Sequence, residues 1–493
     1  MSGLETVGAS LVSRAMSSAA AGDFVGALNA ADRIISNPAS TPDDVTTAAQ
    51  LSSAIWSRRA RLGRSVDLLG WLGPEALSGN VGPAATAAVA VGNTALAAAL
   101  VRAPFAGPPS DTVIGFRDLA MALLESINGD ARRARTAAIR SAAMSRSDEP
   151  GIVSANAIAI LMSLHTGDIA RAASIAERTV AADSVDSWFG DLHLLLAAWT
   201  SLLAGAEDHA RGMLADLDLQ TMTEREALWA LALRCSLARR SGDIGDLTVV
   251  MRDAADLLDT VNADLFSIFP IGELWLGAIR TGDEDVISHL VDELDDLLRR
   301  LGDPPAWSST YHWYAVQAAI LADQPMRLVP HAHALRDASE TKGDPHSAAL
   351  AAAGRVWLAV LRGQFDADEV SKAAQTLATI GLSWDGARLA SEAALRASDT
   401  ADATALLQVA RSLRPAADRT GTATAASALS ERETEVANLL VLGHTYKDIG
   451  ARLFISAKTV EHHVARIRIR LGAESRPEMM SMLRAIGHGS AGH

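Results

Sequence analysis

The stretch TGDIARAASIA, residues 166–176, recurs with the same plan along most of the chain. It reads as a boundary between two helices. Gly167 is able to close one helix in the left-handed conformation, and Asp168 is suited to cap the next. Ala172, one turn further, leaves room for a neighbouring helix. The plan returns as AGDFVGALNAA from Ala21, VGNTALAAAL from Val91, NGDARRARTAA from Asn128, AGAEDHARGML from Ala204, SGDIGDLTVVM from Ser241 and TGDEDVISHLV from Thr281. The glycines at 92, 129, 167, 205, 242 and 282 lie 37, 38, 38, 37 and 40 residues apart, and Gly363 lies 81 beyond Gly282, which is two more units. So regular a period predicts helical hairpins that bury their apolar faces only by stacking on one another. Asp23, Asp130, Asp168, Asp243 and Asp283 are the expected caps, and Ala27, Ala97, Ala134, Ala172 and Ala210 the expected points of close approach. No segment alternates apolar and polar residues between turn clusters, so the expected class is all-α.

Composition fits this reading. The chain has 493 residues, 49% of them apolar and 21% charged, enough for a large core and long for one domain. Cys235 is the only cysteine, which leaves no disulfide framework and suits a reducing compartment. No N-terminal signal segment is evident, and the Ala-rich runs are interrupted before 18 apolar residues accumulate. A cytoplasmic protein without a membrane span is expected. Charge is uneven: residues 429–493 hold nine Lys/Arg and seven Asp/Glu, about +2, against 35 and 51 in the remainder, about −16. An acidic body and a mildly basic tail suggest modules with different partners.

Aromatic residues gather in the middle and late units: Trp188, Trp229, Phe266, Phe269, Trp275 and Trp313. They have two readings, a ligand or peptide groove inside a superhelix, or helix-to-helix core. Enzymatic signatures are missing. There is no Gly-Lys pair for a phosphate loop, no G-x-S-x-G and no H-E-x-x-H, and His331 and His333 stand two apart, on different faces of a helix. No catalytic residue, metal or cofactor is expected. Asp295/Arg299 and Asp296/Arg300 pair at i, i+4, as on a solvated helix face.

The punctuation changes after residue 413. Residues 414–428 are rich in Ala, Thr and Ser and read as a linker. Ser430 with Glu433 forms a capping box for a helix whose core face is Val436, Leu439 and Leu440. Thr445 with Asp448 starts a shorter helix carrying Ile449 and Leu453, and Ser456 caps a third. Ser475 with Glu478 caps a fourth, on which Met479, Met482, Leu483 and Ile486 form an apolar stripe. Three short helices with a tight turn before the third predict helix-turn-helix geometry. On the third helix Val460, Val464, Ile467 and Leu471 share one face, and Lys458, Glu461, His462, Ala465 and Arg466 lie opposite.

The tail resembles the LuxR/GerE-type DNA-binding domain nearly end to end. The pattern is carried by Leu429, Ser430, Arg432, Glu433, Glu435, Val436, Gly443, Lys447, Asp448, Ile449, Leu453, Ser456, Thr459, Val460, His463, Leu471, Gly472, Ser475 and Arg476. Gly450 departs from it, standing where the family usually carries Ala, and is expected to loosen the second helix by up to about 1 kcal/mol. The resemblance implies that the third helix enters the major groove of double-stranded DNA. Lys458, Glu461, His462, Ala465 and Arg466 would then face base edges, and Lys447, Thr459, Arg468 and Arg470 would position the helix on phosphates. It also implies that the Met479, Met482, Leu483 and Ile486 stripe pairs two heads in a homodimer. The repeats resemble tetratricopeptide units, though longer than the strict repeat of about 34 residues. The whole resembles large MalT-like regulators without an ATPase module. The expected organisation is a tetratricopeptide-like α-solenoid over residues 1–413, a linker at 414–428 and a four-helix LuxR-type domain at 429–493. The body would sense a small-molecule effector or a protein partner; the alternative is an interaction scaffold recruited to DNA by the head.

Overall fold

The computed structural model describes residues 2–144, 150–183, 187–219, 221–413, 429–471, 479–480 and 483–484. The proposed 414–428 linker lies outside them. The regular structure of the described residues is all helix, with no strand among them. None of their helices is long and apolar enough to cross a membrane.

The repeated boundary works largely as its residues dictate. Asp23, Asp168 and Asp243 accept the amides of Gly26, Arg171 and Asp246, and Asn93 accepts that of Leu96. Asp130 accepts from Arg132 and Arg133. Asp283 does not cap: the helix after it begins at Asp285, with Glu284 at the N-cap position and no side-chain bond. Gly92, Gly167, Gly205, Gly242 and Gly282 take positive φ, as a left-handed terminus requires. Gly129 closes its helix at φ −133°, so its role is different. Ala27, Ala97, Ala134, Ala172 and Ala210 are all buried. A larger side chain there would wedge the hairpin apart.

Helices before and after each boundary differ in burial. Those that follow it are amphipathic. Ile169–Ala182 buries Ala172, Ile175, Ala176 and Thr179 and exposes its other face. Asp285–Arg300 buries Ile287, Leu290, Leu294, Leu297 and Leu298. Two of those that precede it are buried nearly all round: every residue of Ala155–His165 except Asn156, and the run from Pro305 to Ala319. The inner helices also meet across the turn of the chain. Ala155–His165 and Asp111–Asn128 both pack on Pro305–Leu321, and Pro42–Arg58 packs on Glu224–Ser241.

This closure fills the interior with rings. Trp199 meets Trp229 edge-on at 5.1 Å and Phe269 at 5.8 Å. Phe269 stacks on His165 at 4.4 Å, which in turn meets Trp307 at 4.7 Å. Polar bonds bridge the same seam: Trp307 Nε1 donates to Ser126 Oγ at 2.9 Å, His165 Nδ1 lies 2.9 Å from Thr310 Oγ1, and the Asn262 amide donates to the Ala60 carbonyl at 2.9 Å. Arg225 donates to the Ser57 carbonyl and forms a buried pair with Asp264 at 2.6 Å.

The aromatic residues read as a groove are therefore placed differently. Trp188, Trp229, Phe266, Phe269 and Trp313 are buried in the core, and Trp275 is partly buried, stacked on Tyr311. Inner helices far apart in sequence have closed onto one another around them, and of this set Trp229 and Phe266 also border a small cavity.

Candidate nucleic-acid interface

The C-terminal head is built from Glu431–Val441, Tyr446–Leu453 and Ala457–Leu471. Ser430 accepts the Glu433 amide while Glu433 Oε2 accepts the Ser430 amide, the reciprocal cap expected from the sequence. Thr445 and Asp448 repeat the device, and Asp448's carboxyl is held below the ordinary range by hydrogen bonds from Thr445. Ser456 Oγ accepts the Thr459 amide at 3.0 Å and starts the third helix. Phe454, in the left-handed region at φ 52°, ends the second helix and turns the chain.

Val436, Ala437, Leu440, Ile449, Leu453, Val460, Val464 and Ile467 form a small core of their own. Leu439 packs against it only partly buried, and the side chain of Leu471 is outside the described residues. Opposite that core, Lys458, Glu461, His462, Ala465 and Arg466 are all exposed. Among the described residues, Arg466 of this stripe makes contacts within the head. Its guanidinium turns inward, with Nε 3.7 Å from Glu433 and an amino nitrogen 3.3 Å from His463 Nδ1. Lys447 and Arg468 are exposed. Thr459 is half-buried, its hydroxyl 2.8 Å from that of Ser456, and the Arg470 side chain is outside the described residues.

Burial first, then the neighbouring Arg466, Arg432 and Arg396, push the His463 imidazole down to about 4. It is neutral at neutral pH and offers phosphate no charge. Met479 and Leu483 correct another expectation. Both are fully buried in the head core, so they are not free for a second head; Met482 and Ile486 lie outside the described residues.

Three residues gain roles that sequence reasoning did not assign. Arg432 donates to the Leu453 carbonyl and pairs with Glu435 at 2.8 Å, tying the first head helix to the end of the second. Gly450, expected to weaken its helix, sits against main chain: a Cβ there would lie 2.7 Å from the Ile455 oxygen and 3.3 Å from the Ala457 nitrogen. Its absence lets the turn close tightly. Glu435 also pairs with Arg280 of the body, both side chains almost fully buried, and the Phe454 ring lies against Gly282. The R-E-x-E spacing was visible, but nothing in it revealed a partner 155 residues upstream.

Two capped helices set at a tight turn, with the second presenting an exposed polar stripe, define a helix-turn-helix head. Residues 427–483 match the family of bacterial regulatory proteins described as luxR, so the chain carries a LuxR-family domain at its C-terminal end. The oxygen regulatory protein NreC of Staphylococcus aureus strains JH9, JH1 and Mu3 is 44% identical over 52 residues, which cover 10% of this chain and 24% of each relative. The chain thus spans about a quarter of the length of these curated relatives.

Proposed function

We propose that the protein is a sequence-specific DNA-binding transcriptional regulator. The observation that carries this reading is the exposed stripe of Lys458, Glu461, His462 and Ala465, directly opposite the buried Val460, Val464 and Ile467. In helix-turn-helix docking, residues near the start of the second helix of the motif approach base edges. Glu461 accepts from cytosine N4, and His462 donates to a purine acceptor. Lys447 and Arg468 hold phosphates. The regulatory name of the relatives agrees with this reading.

Residues 1–413 form the helical-repeat body and residues 429–493 the head, in the manner of MalT-like regulators. The body receives a small effector or a protein partner and governs the head. A peptide scaffold requires an open concave face; the packing of Trp199, Trp229 and Phe269 along that face favours a small effector bound in a cleft between helices. Pairing of two heads on a two-fold-related site falls to Met482 and Ile486, since Met479 and Leu483 serve the core.

The test is selection of bound duplexes from a random library, followed by titration on selected and scrambled sites at two salt concentrations. Glu461→Ala or His462→Ala relaxes preference at one or two positions, at about 1–3 kcal/mol on the selected site. Lys447→Ala weakens all sequences alike and lowers the salt slope by roughly one unit. Altered sequence preference in Lys447→Ala, with none in the other two, refutes the assignment of faces.

A further inference from the structure

A cleft of about 280 Å³ opens in the body beside the start of the Ala155–His165 helix. Three polar side chains on its wall stand in a row. Ser154 Oγ lies 2.6 Å from His193 Nε2, and His193 Nδ1 lies 2.8 Å from Asp183 Oδ2. A carboxylate at Nδ1 fixes the proton on that nitrogen and leaves Nε2 to accept from the Ser154 hydroxyl. Helix capping does not require such a row. Ser154 Oγ already accepts the Ala157 amide as an N-cap, and Ser110 and Ser430 cap their helices without an imidazole.

The row is held from several sides. His193 is buried on Gly190–Leu203, and Asp183 terminates Ile169–Ala182. The chain entering Ser154 is pinned by Trp188 Nε1, which donates to the Gly151 carbonyl at 3.1 Å, and by Ser57 Oγ, which donates to the Ile152 carbonyl at 2.6 Å. The Ala155 and Asn156 amides belong to the first turn of a helix, where no intrahelical carbonyl meets them, and both residues line the cleft. They offer donors at the positive end of the helix dipole. Ser154 also borders a second, mainly apolar slot of about 40 Å³, whose wall includes Ile158, Leu161, Leu192, Leu196 and Trp229, with the ion-paired Arg58 and Glu226 at its edge. At about 10–15 Å³ for each water-sized sphere, that is room for roughly three, the size of a short acyl chain.

We infer that Ser154, His193 and Asp183 form a catalytic row that hydrolyses short-chain carboxylic esters, with the acyl group in the apolar slot and the alcohol portion in the larger cleft. Ser154 Oγ bonds to the ester carbonyl carbon as its proton passes to His193 Nε2. The carbon–alkoxy bond then breaks, and the same proton goes to the departing alkoxide. Water gives a proton to His193 and attacks the acyl carbon; the serine–acyl bond breaks, and the proton returns to Ser154. The sum is ester and water to acid and alcohol. Asp183 orients the imidazole and stabilises its cationic form. The inference is independent of the DNA-binding reading.

The full chain is tested with p-nitrophenyl acetate and with a fluorophosphonate followed by peptide mass spectrometry. Ser154→Asn is the main variant, because Asn caps a helix as well as Ser does but offers no hydroxyl. The expected result is one adduct per chain on Ser154, with hydrolysis above buffer falling by about 100-fold or more in Ser154→Asn and His193→Gln, and also in Asp183→Asn. DNA binding by Ser154→Asn stays unchanged, so failure here is distinguishable from failure of the regulator reading. Equal hydrolysis by the parent and Ser154→Asn, or labelling elsewhere, overturns the inference. So does a set of variants that only lowers the melting temperature.

Discussion

Replacing Gly450 by Ala separates local helix preference from the demands of the turn. By propensity alone, Gly to Ala inside Tyr446–Leu453 stabilises the helix by about 0.8–1.0 kcal/mol. The surroundings oppose this. The added Cβ would meet the Ile455 oxygen at 2.7 Å and the Ala457 nitrogen at 3.3 Å, where ordinary contact begins at 3.4 Å. Both atoms are main chain, so no side chain can swing aside. The turn is held as well: the Ile455 amide donates to the Gly450 carbonyl at 2.9 Å, and Arg432 holds the Leu453 carbonyl. Overpacking of this kind costs about 1–3 kcal/mol. The net is a loss of about 1 kcal/mol, or a fall of roughly 4–8 °C in the melting temperature of a unit this small. The third helix begins at Ala457, immediately beyond the displaced turn, so the reading stripe moves with it. Affinity for a selected duplex should fall more than affinity for a scrambled one. Thermal melting followed by both DNA titrations makes the measurement. A Gly450→Ala variant whose head melts higher, with sequence preference intact, would refute the account of the turn.

Other outcomes follow from the body. Arg280→Met takes one ion-pair partner from the buried Glu435, which Arg432 also pairs, and should loosen the head from the body; removing one member of a buried pair costs about 3–5 kcal/mol. Small-angle scattering should show a larger radius of gyration, and an unchanged profile with unchanged melting would count against the junction. Ala172→Leu places a large side chain where none is exposed and should destabilise by about 1–3 kcal/mol, read as a lower denaturation midpoint; an unchanged midpoint would mean the hairpin has slack. Burial holds His165 and His312 down to about 3 and His346 to about 4. These folded values lie below the ordinary one of about 6.5, so the unfolded chain takes up protons first. Their stabilisation is complete above about pH 6.5 and is lost as pH falls toward about 4 for His346 and about 3 for His165 and His312, by up to about 1.4 kcal/mol per unit for each. Melting at about pH 7.5 and about pH 5 checks the sign, and equal midpoints would contradict it.

The sequence by itself determined the local events. A helix boundary depends on residues three or four apart, so Gly167 with Asp168, Ser430 with Glu433, and Thr445 with Asp448 could be read directly and behave as read. The alternation of small and amphipathic positions likewise made the all-α class and the buried face of the third head helix legible. What the tertiary structure alone decided concerns residues far apart in the chain. Trp229 has the same side chain whether it faces a groove or a core; the contact of Trp199 and the closure of inner helices made it core. Met479 and Leu483 form an apolar stripe either way, and the packing of the head turned that stripe inward. Gly450 looks weak in isolation because glycine favours a helix less than alanine does, and useful once the Ile455 main chain lies against it. Ser154, Asp183 and His193 match no motif, being spread over forty positions; only the packing of three helix ends sets them in hydrogen-bonding reach. Periodicity records which face of an element is apolar, but what that face meets depends on how the chain folds back on itself, and that information is shared among all the elements at once.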